Sequence, residues 1–157
     1  MKIRISKFIS SAGYCSRRDA EKLISQKKVY INGKICSHPS DKVGEEDKVK
    51  INNKILKKLD KINLWKMYKP IKYICSTKDN FKRNKIFDLL PKEMPKLISV
   101  GRLDYMSEGL ILFTNSGEYS RYLELPQSNI ERTYKVLIRG DIKNADIDKV
   151  NNGIKIK

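Results

Sequence analysis

Ile5, Phe8, Ile9 and Ala12 recur at three- and four-residue steps, so the start of the chain predicts an amphipathic helix that Gly13 stops. Ser16-Arg17-Arg18-Asp19 reads as a capping box opening a second helix, with Ala20, Leu23 and Ile24 on its buried face. The period then shortens to two. Val29-Tyr30-Ile31 predicts a strand, Asn32-Gly33 a two-residue hairpin turn, and Lys34-Ile35-Cys36 the returning strand. Lys48 to Ile51 alternates, Asn52-Asn53 fits a turn, and Ile55-Leu56 follows. The polar break Lys57-Lys58-Leu59-Asp60-Lys61 predicts a linker. It divides the chain into a small module over residues 1–58 and a second over 62–157.

The second part is richer in strands. Leu64 to Tyr68 is strand-like and stops at Pro70, and Tyr73 to Thr77 is a further candidate. Ile86 to Leu90 suits a short helix ended by Pro91. Leu97 to Val100 and Leu110 to Thr114 read as buried strands, and Glu118 to Leu123 as a short helix. Thr133 to Arg139 alternates strongly, with Tyr134, Val136 and Ile138 on one face, and predicts another strand; Ala145 to Val150 begins a helix. The expected fold class is α+β, a small α/β module followed by a domain built on a mixed or antiparallel sheet.

Composition narrows what such a protein does. The 157 residues carry 34 Lys and Arg against 18 Asp and Glu, a formal net charge of +16, spread from Lys2 to Lys157 rather than gathered in a tail. Such a field attracts polyanions, nucleic acid first among them. The abundance of Lys, Ile and Asn also fits an AT-rich genome, so charge alone does not decide the matter. Cys15, Cys36 and Cys75 are odd in number and far apart, without the spacing of a zinc or redox motif; they read as reduced thiols of a cytoplasmic protein. His38 is the only histidine, which argues against Ser-His-Asp catalysis and histidine-rich metal sites. The N-terminus lacks an apolar signal core, and the longest apolar run, Leu110 to Phe113, is far too short to span a bilayer.

Arg17 and Arg18 fall in the first turn of the second helix, the end that the helix dipole already makes positive. Cations there make sense if a phosphate is the partner, held by free backbone N–H groups and two guanidinium forks. A merely solvated basic face is the alternative. Arg4, Lys7 and Lys22 extend the patch.

These stretches carry a resemblance. Ile5 to Ile9, Gly13 to Ile24 and Val29-Tyr30-Ile31-Asn32-Gly33-Lys34 resemble the small RNA-binding domain first described in ribosomal protein S-four. The resemblance implies recognition of RNA shape and backbone, with Arg4, Lys7, Ser16, Arg17, Arg18, Lys22 and Lys34 as candidate RNA-binding residues. Gln26-Lys27-Lys28 departs from the Gly-Arg or Gly-Lys often found there.

A second constellation lies at Val100-Gly101-Arg102-Leu103-Asp104, where a strand ends on a glycine and an arginine and an aspartate follow. From spacing alone an ordinary strand-end aspartate in a turn or ion pair is the stronger reading, since Arg-x-Asp is a weak signal. The longer segment from Gly101-Arg102-Leu103-Asp104 through Ser107, Gly109-Leu110-Ile111-Leu112-Phe113-Thr114-Asn115 to Gly117-Glu118 resembles the catalytic segment of the RsuA/RluB-type pseudouridine synthases. Tyr68-Lys69-Pro70 and Glu131-Arg132-Thr133-Tyr134-Lys135-Val136 also match that family. The resemblance implies that Asp104 is the nucleophile acting on a flipped uridine of ribosomal RNA. It implies that Tyr134 stacks on the uracil, and that Arg102 fills the vacated space or binds its phosphate. It calls for no metal and no organic cofactor. The implied partner is ribosomal RNA, the large subunit (23S) more than the small (16S), since Tyr122-Leu123-Glu124-Leu125-Pro126 looks more like the RluB branch. A monomer acting in the cytoplasm is expected.

Ser107 stands where the family more often has Thr. Ile154-Lys155-Ile156-Lys157 ends the sequence within what the resemblance makes a larger catalytic domain, so the expected domain is a truncated one, lacking the basic partner of the aspartate. A non-catalytic RNA-binding or ribosome-assembly protein is therefore the competing reading. A DNA-binding regulator is the weaker third, because no recognition-helix arrangement accounts for the second domain.

Overall fold

The computed structural model describes residues 2–57 and 61–154. The expected linker positions Lys58, Leu59 and Asp60, and the final Lys155-Ile156-Lys157, lie outside the described residues. The fold is α+β. Its first part runs β1 (Ile3–Arg4), α1 (Ile5–Ser11), α2 (Arg17–Ser25), β2 (Val29–Ile31), β3 (Lys34–Ile35), β4 (Lys42–Val43), β5 (Val49–Ile51) and β6 (Lys54–Leu56). Strands β3, β2, β5 and β6 form one antiparallel sheet in that order, and β1 pairs with β4. Both hairpins turn in two residues. Asn32-Gly33 links Ile31 to Lys34, and Asn52-Asn53 links Ile51 to Lys54. All four turn residues have positive φ (51°, 83°, 47° and 63°), which gives the turn a twist that matches the flanking strands.

The two helices lie against each other and against the sheet. Ile5, Phe8 and Ile9 from α1 meet Ala20 and Ile24 from α2, and Val29, Val43, Val49, Ile51 and Leu56 from the strands close the core. This is the expected helical stripe meeting the expected strand faces. The α2 start departs in detail from a reciprocal capping box. The Ser16 hydroxyl accepts from the Asp19 N–H at 3.1 Å, and donates to the Asp19 carboxylate at 2.5 Å. The carboxylate thus holds the capping side chain rather than the Ser16 backbone.

The second part contains β7 (Leu64–Lys69), β8 (Tyr73–Ile74), β9 (Asn84–Lys85), a 3-10 turn at Ile86–Leu89, β10 (Ile98–Val100), β11 (Gly109–Thr114), α3 (Gly117–Glu124) and α4 (Asn144–Asn151). Strand β11 lies between β10 and β7, antiparallel to both. Ile111 and Phe113 on one face of β11 join Ile86 and Leu97 in a separate apolar cluster, against which Trp65 and Met67 of β7 pack. The Phe87 and Phe113 rings meet edge to face at 5.5 Å. Asn115 closes the end of this sheet: its side chain accepts from the Asn63 N–H and donates to the Lys61 carbonyl, while the Thr114 hydroxyl donates to the Asn63 carbonyl.

One expected element does not form. Thr133 to Arg139 has no regular structure, and Tyr134, Val136, Leu137 and Ile138 are 60–99% exposed. Alternation marks a face fit for burial, but a strand gains order from a neighbour's hydrogen bonds and side chains. Among the described residues none pairs with this segment.

Candidate active site

The loop bearing Asp104 begins at Gly101, directly after β10, and ends at Gly109, the first residue of β11. Gly101 takes φ +71°, and a side chain there would meet nothing within 4 Å, so the glycine serves conformation rather than space. The Ser107 N–H donates to the Asp104 carbonyl at 3.1 Å and closes a tight turn. The carboxylate of Asp104 projects from this turn, exposed.

What holds the turn is Lys69. It is the last residue of β7, opposite Gly109 in the β7–β11 register, and is fully buried. Its ammonium donates to three backbone carbonyls, those of Pro70 (3.1 Å), Asp104 (3.0 Å) and Ser107 (2.6 Å). A buried cation is costly unless its donors are used, and an ammonium has three. Here three are used, two of them on the Asp104 turn. A second strut comes from the Lys72 N–H, which donates to the Tyr105 carbonyl at 2.7 Å. The Cys75 thiol lies 3.3 Å from the Leu103 amide and 3.4 Å from its carbonyl. The loop from Leu103 to Ser107 is therefore fixed at both ends while the aspartate side chain stays open. In the sequence Lys69 stands out only as part of Tyr68-Lys69-Pro70. Its role does not, because its acceptors are backbone carbonyls up to 38 residues away.

The other expected site residues are placed less closely. Arg102 is exposed on the same loop. Tyr134 is 66% exposed on the irregular segment, and among the described residues no hydrogen bond or ring contact joins it to Asp104. Arg132, two residues earlier, ties that segment to the second part through the Leu123 carbonyl at 2.6 Å. In the first part, Arg4, Arg17, Arg18, Lys22 and Lys34 are all exposed. Ser16 is occupied as the α2 cap, and Lys7 reaches across to Glu118 of α3 at 2.5 Å. Lys7 is thus already paired, and a phosphate would have to compete for it.

Among the described residues no cluster of His, Cys, Asp and Glu is suited to a metal ion. No helix among them is long and apolar enough to cross a membrane.

A strongly basic helical module beside an antiparallel sheet, with an exposed aspartate on a lysine-held loop, defines a class of protein whose field attracts polyanions. Comparison with known proteins gives the class its family. Residues 63–157 match the family model for RNA pseudouridylate synthase, and residues 3–49 match that for the S4 domain. An RNA pseudouridine synthase of Rickettsia felis is 39% identical over 155 residues, covering 94% of this chain and 67% of the relative. The ribosomal large subunit pseudouridine synthase B of Buchnera aphidicola is 39% identical, and that of Bacillus subtilis 32%; each is covered to 63%. A solved pseudouridylate synthase is 30% identical with a TM-score of 0.43, over 80% of this chain and 54% of that one. The chain belongs to the RNA pseudouridylate synthase family, isomerases that act on RNA. It spans about two thirds of the length of the curated relatives it matches.

Proposed function

We propose that this protein converts one uridine of ribosomal RNA to pseudouridine, with Asp104 as the nucleophile on a flipped base. The observation that carries the reading is the Asp104 turn. Its backbone is pinned by the Lys69 ammonium at 3.0 and 2.6 Å, and its carboxylate is left open. Covalent catalysis by a carboxylate needs this combination of a fixed position and a free oxygen. The exposed arginines at the α2 start supply backbone contacts that offset the cost of extruding the base, a few kcal/mol. Arg102 stands next to the vacated position, and Tyr134 closes over the uracil once RNA orders its segment. The two modules are taken to divide at residues 58–62, and the protein to work as a cytoplasmic monomer.

The substrate is large-subunit RNA in this reading, in keeping with the names of the Buchnera and Bacillus relatives. The test is carbodiimide mapping of pseudouridine in ribosomal RNA from cells with and without the gene. One site in the large-subunit RNA should vanish without it. An unchanged map would end the reading. A binding protein without turnover is the second reading, favoured by the contrast between the irregular Tyr134 segment and the ordered Asp104 turn; it predicts that unchanged map together with retained RNA affinity.

A further inference from the structure

Between β8 and β9 the chain makes an excursion that the reading above does not use. Strand β8 leads directly into Cys75, whose thiol contacts Leu103, and pairs in parallel with β9 through Tyr73 and Asn84. The loop from Ser76 to Arg83 therefore leaves and rejoins the molecule beside the Asp104 turn. It is a built loop. Asp79, with its side chain 5% exposed, accepts from the N–H groups of Phe81 (3.0 Å) and Arg83 (2.8 Å), and from the Arg83 guanidinium at 2.6 Å. The guanidinium holds the Asp79 carboxyl well below its ordinary range, at about 2.

At the tip of this clamp stands Phe81, 79% exposed. The Arg83 guanidinium lies 5.1 Å from its ring centre and covers one face, leaving the other open. Arg83 lies within electrostatic reach of Tyr105, the residue after Asp104. On the far side, Lys78 forms an ion pair with Asp19 in the first turn of α2, at 3.5 Å, beside the exposed Arg17 and Arg18. The loop thus spans from the basic helix start to the aspartate. A lone exposed apolar side chain needs no explanation. A rigidly clamped ring, backed by a cation on one face and set beside a base-handling site, is the arrangement of a stacking platform.

We propose that Phe81, backed by Arg83, stacks an unpaired base of the RNA next to the target uridine, and so selects single-stranded or looped RNA over duplex. This rests on the RNA-directed reading above. A duplex offers no free base face, whereas every unpaired base has one.

The experiment measures binding of the whole chain to two RNA probes, a hairpin with a single-stranded loop containing uridine and purines, and a blunt duplex of the same length. Wild type, Phe81→Ala and Phe81→Trp are compared across a salt series. Stacking on one aromatic ring corresponds to about 5- to 150-fold in affinity. Phe81→Ala should lose that much on the hairpin, keep duplex binding, and leave the salt slope unchanged because no charge is removed. Phe81→Trp should restore the hairpin affinity. The proposal fails if Phe81→Ala binds the hairpin like wild type, if it loses hairpin and duplex equally, or if Trp restores nothing. Wild type that binds neither probe overturns the RNA-directed reading and the platform with it; intact wild-type binding with an indifferent Phe81→Ala overturns the platform alone.

Discussion

Lys69 shows how a single residue organises a site it does not need to touch through its own chemistry. Its ammonium substitutes for water at three carbonyls and holds two ends of the Asp104 turn against β7. Replacement by Met keeps length and removes the charge, so the Pro70 and Ser107 carbonyls lose the ammonium while the Asp104 carbonyl keeps the Ser107 N–H. Each unsatisfied buried acceptor costs roughly 1–3 kcal/mol, so Lys69→Met should destabilise the fold by about 2 kcal/mol or more in chemical denaturation. Hydrogen exchange at Ser107 should accelerate with it. A destabilisation below about 1 kcal/mol would mean the carbonyls find water. Asp79 gives a pH signature. Its carboxyl is depressed from 3.8 to about 2 in the folded loop, chiefly by the Arg83 side chain. The clamp's stabilisation is therefore fully present above about pH 4 and disappears as pH falls through about 2. The Phe81 and Arg83 amide resonances should titrate with a midpoint near 2; a midpoint near the ordinary 3.8 would show that the clamp does not form. Tyr134, 66% exposed, has little packing to lose. Tyr134→Ala should leave stability within about 0.5 kcal/mol, while Tyr134→Phe should bind RNA normally and slow single turnover by about 10²–10⁴-fold. Full turnover in the Ala variant would remove this tyrosine from the site.

At the scale of elements, the start of α2 carries the electrostatic claim. Arg17 and Arg18 sit at the dipole's positive end, exposed. Changing both to Ala should weaken RNA binding evenly across sequences and lower the salt slope by about 0.7–0.9 for each phosphate no longer neutralised. An unchanged slope would turn this helix end away from RNA. The same helix shows what local sequence can convey. Its stripe of Ala20, Leu23 and Ile24, its Ser16 cap and the Asn32-Gly33 turn are local signals, and each element forms where it is expected. The short pairs β1 with β4 and β8 with β9 are not legible: two residues carry no periodicity, and their partners lie about 40 and 11 residues away. Thr133 to Arg139 misleads for the opposite reason. Its alternation is strong, but pattern without a neighbour does not make a strand. The candidate site divides likewise. Asp104 and Arg102 are legible in one contiguous motif, whereas the hold that Lys69 exerts on the turn depends on folded backbone geometry.

At the scale of the molecule, the described residues form two apolar clusters, one around Ile9, Ile24 and Val49 and the other around Ile86, Ile111 and Phe113. Lys7–Glu118 and Lys78–Asp19 link the two parts by ion pairs, each with one side chain largely in solvent. Exposed pairs of this kind add little to stability and weaken with salt. Lys78–Asp19 joins the loop after β8 to the α2 start, and Lys7–Glu118 joins α1 to α3. The measurement that tests the central claim most directly is complementation of cells lacking the gene with wild type or Asp104→Asn, followed by carbodiimide mapping of large-subunit RNA. The amide keeps shape and removes the nucleophile. Wild type should restore one pseudouridine and Asp104→Asn none, with RNA affinity of the variant within a few-fold. Restoration of that pseudouridine by Asp104→Asn would contradict the account.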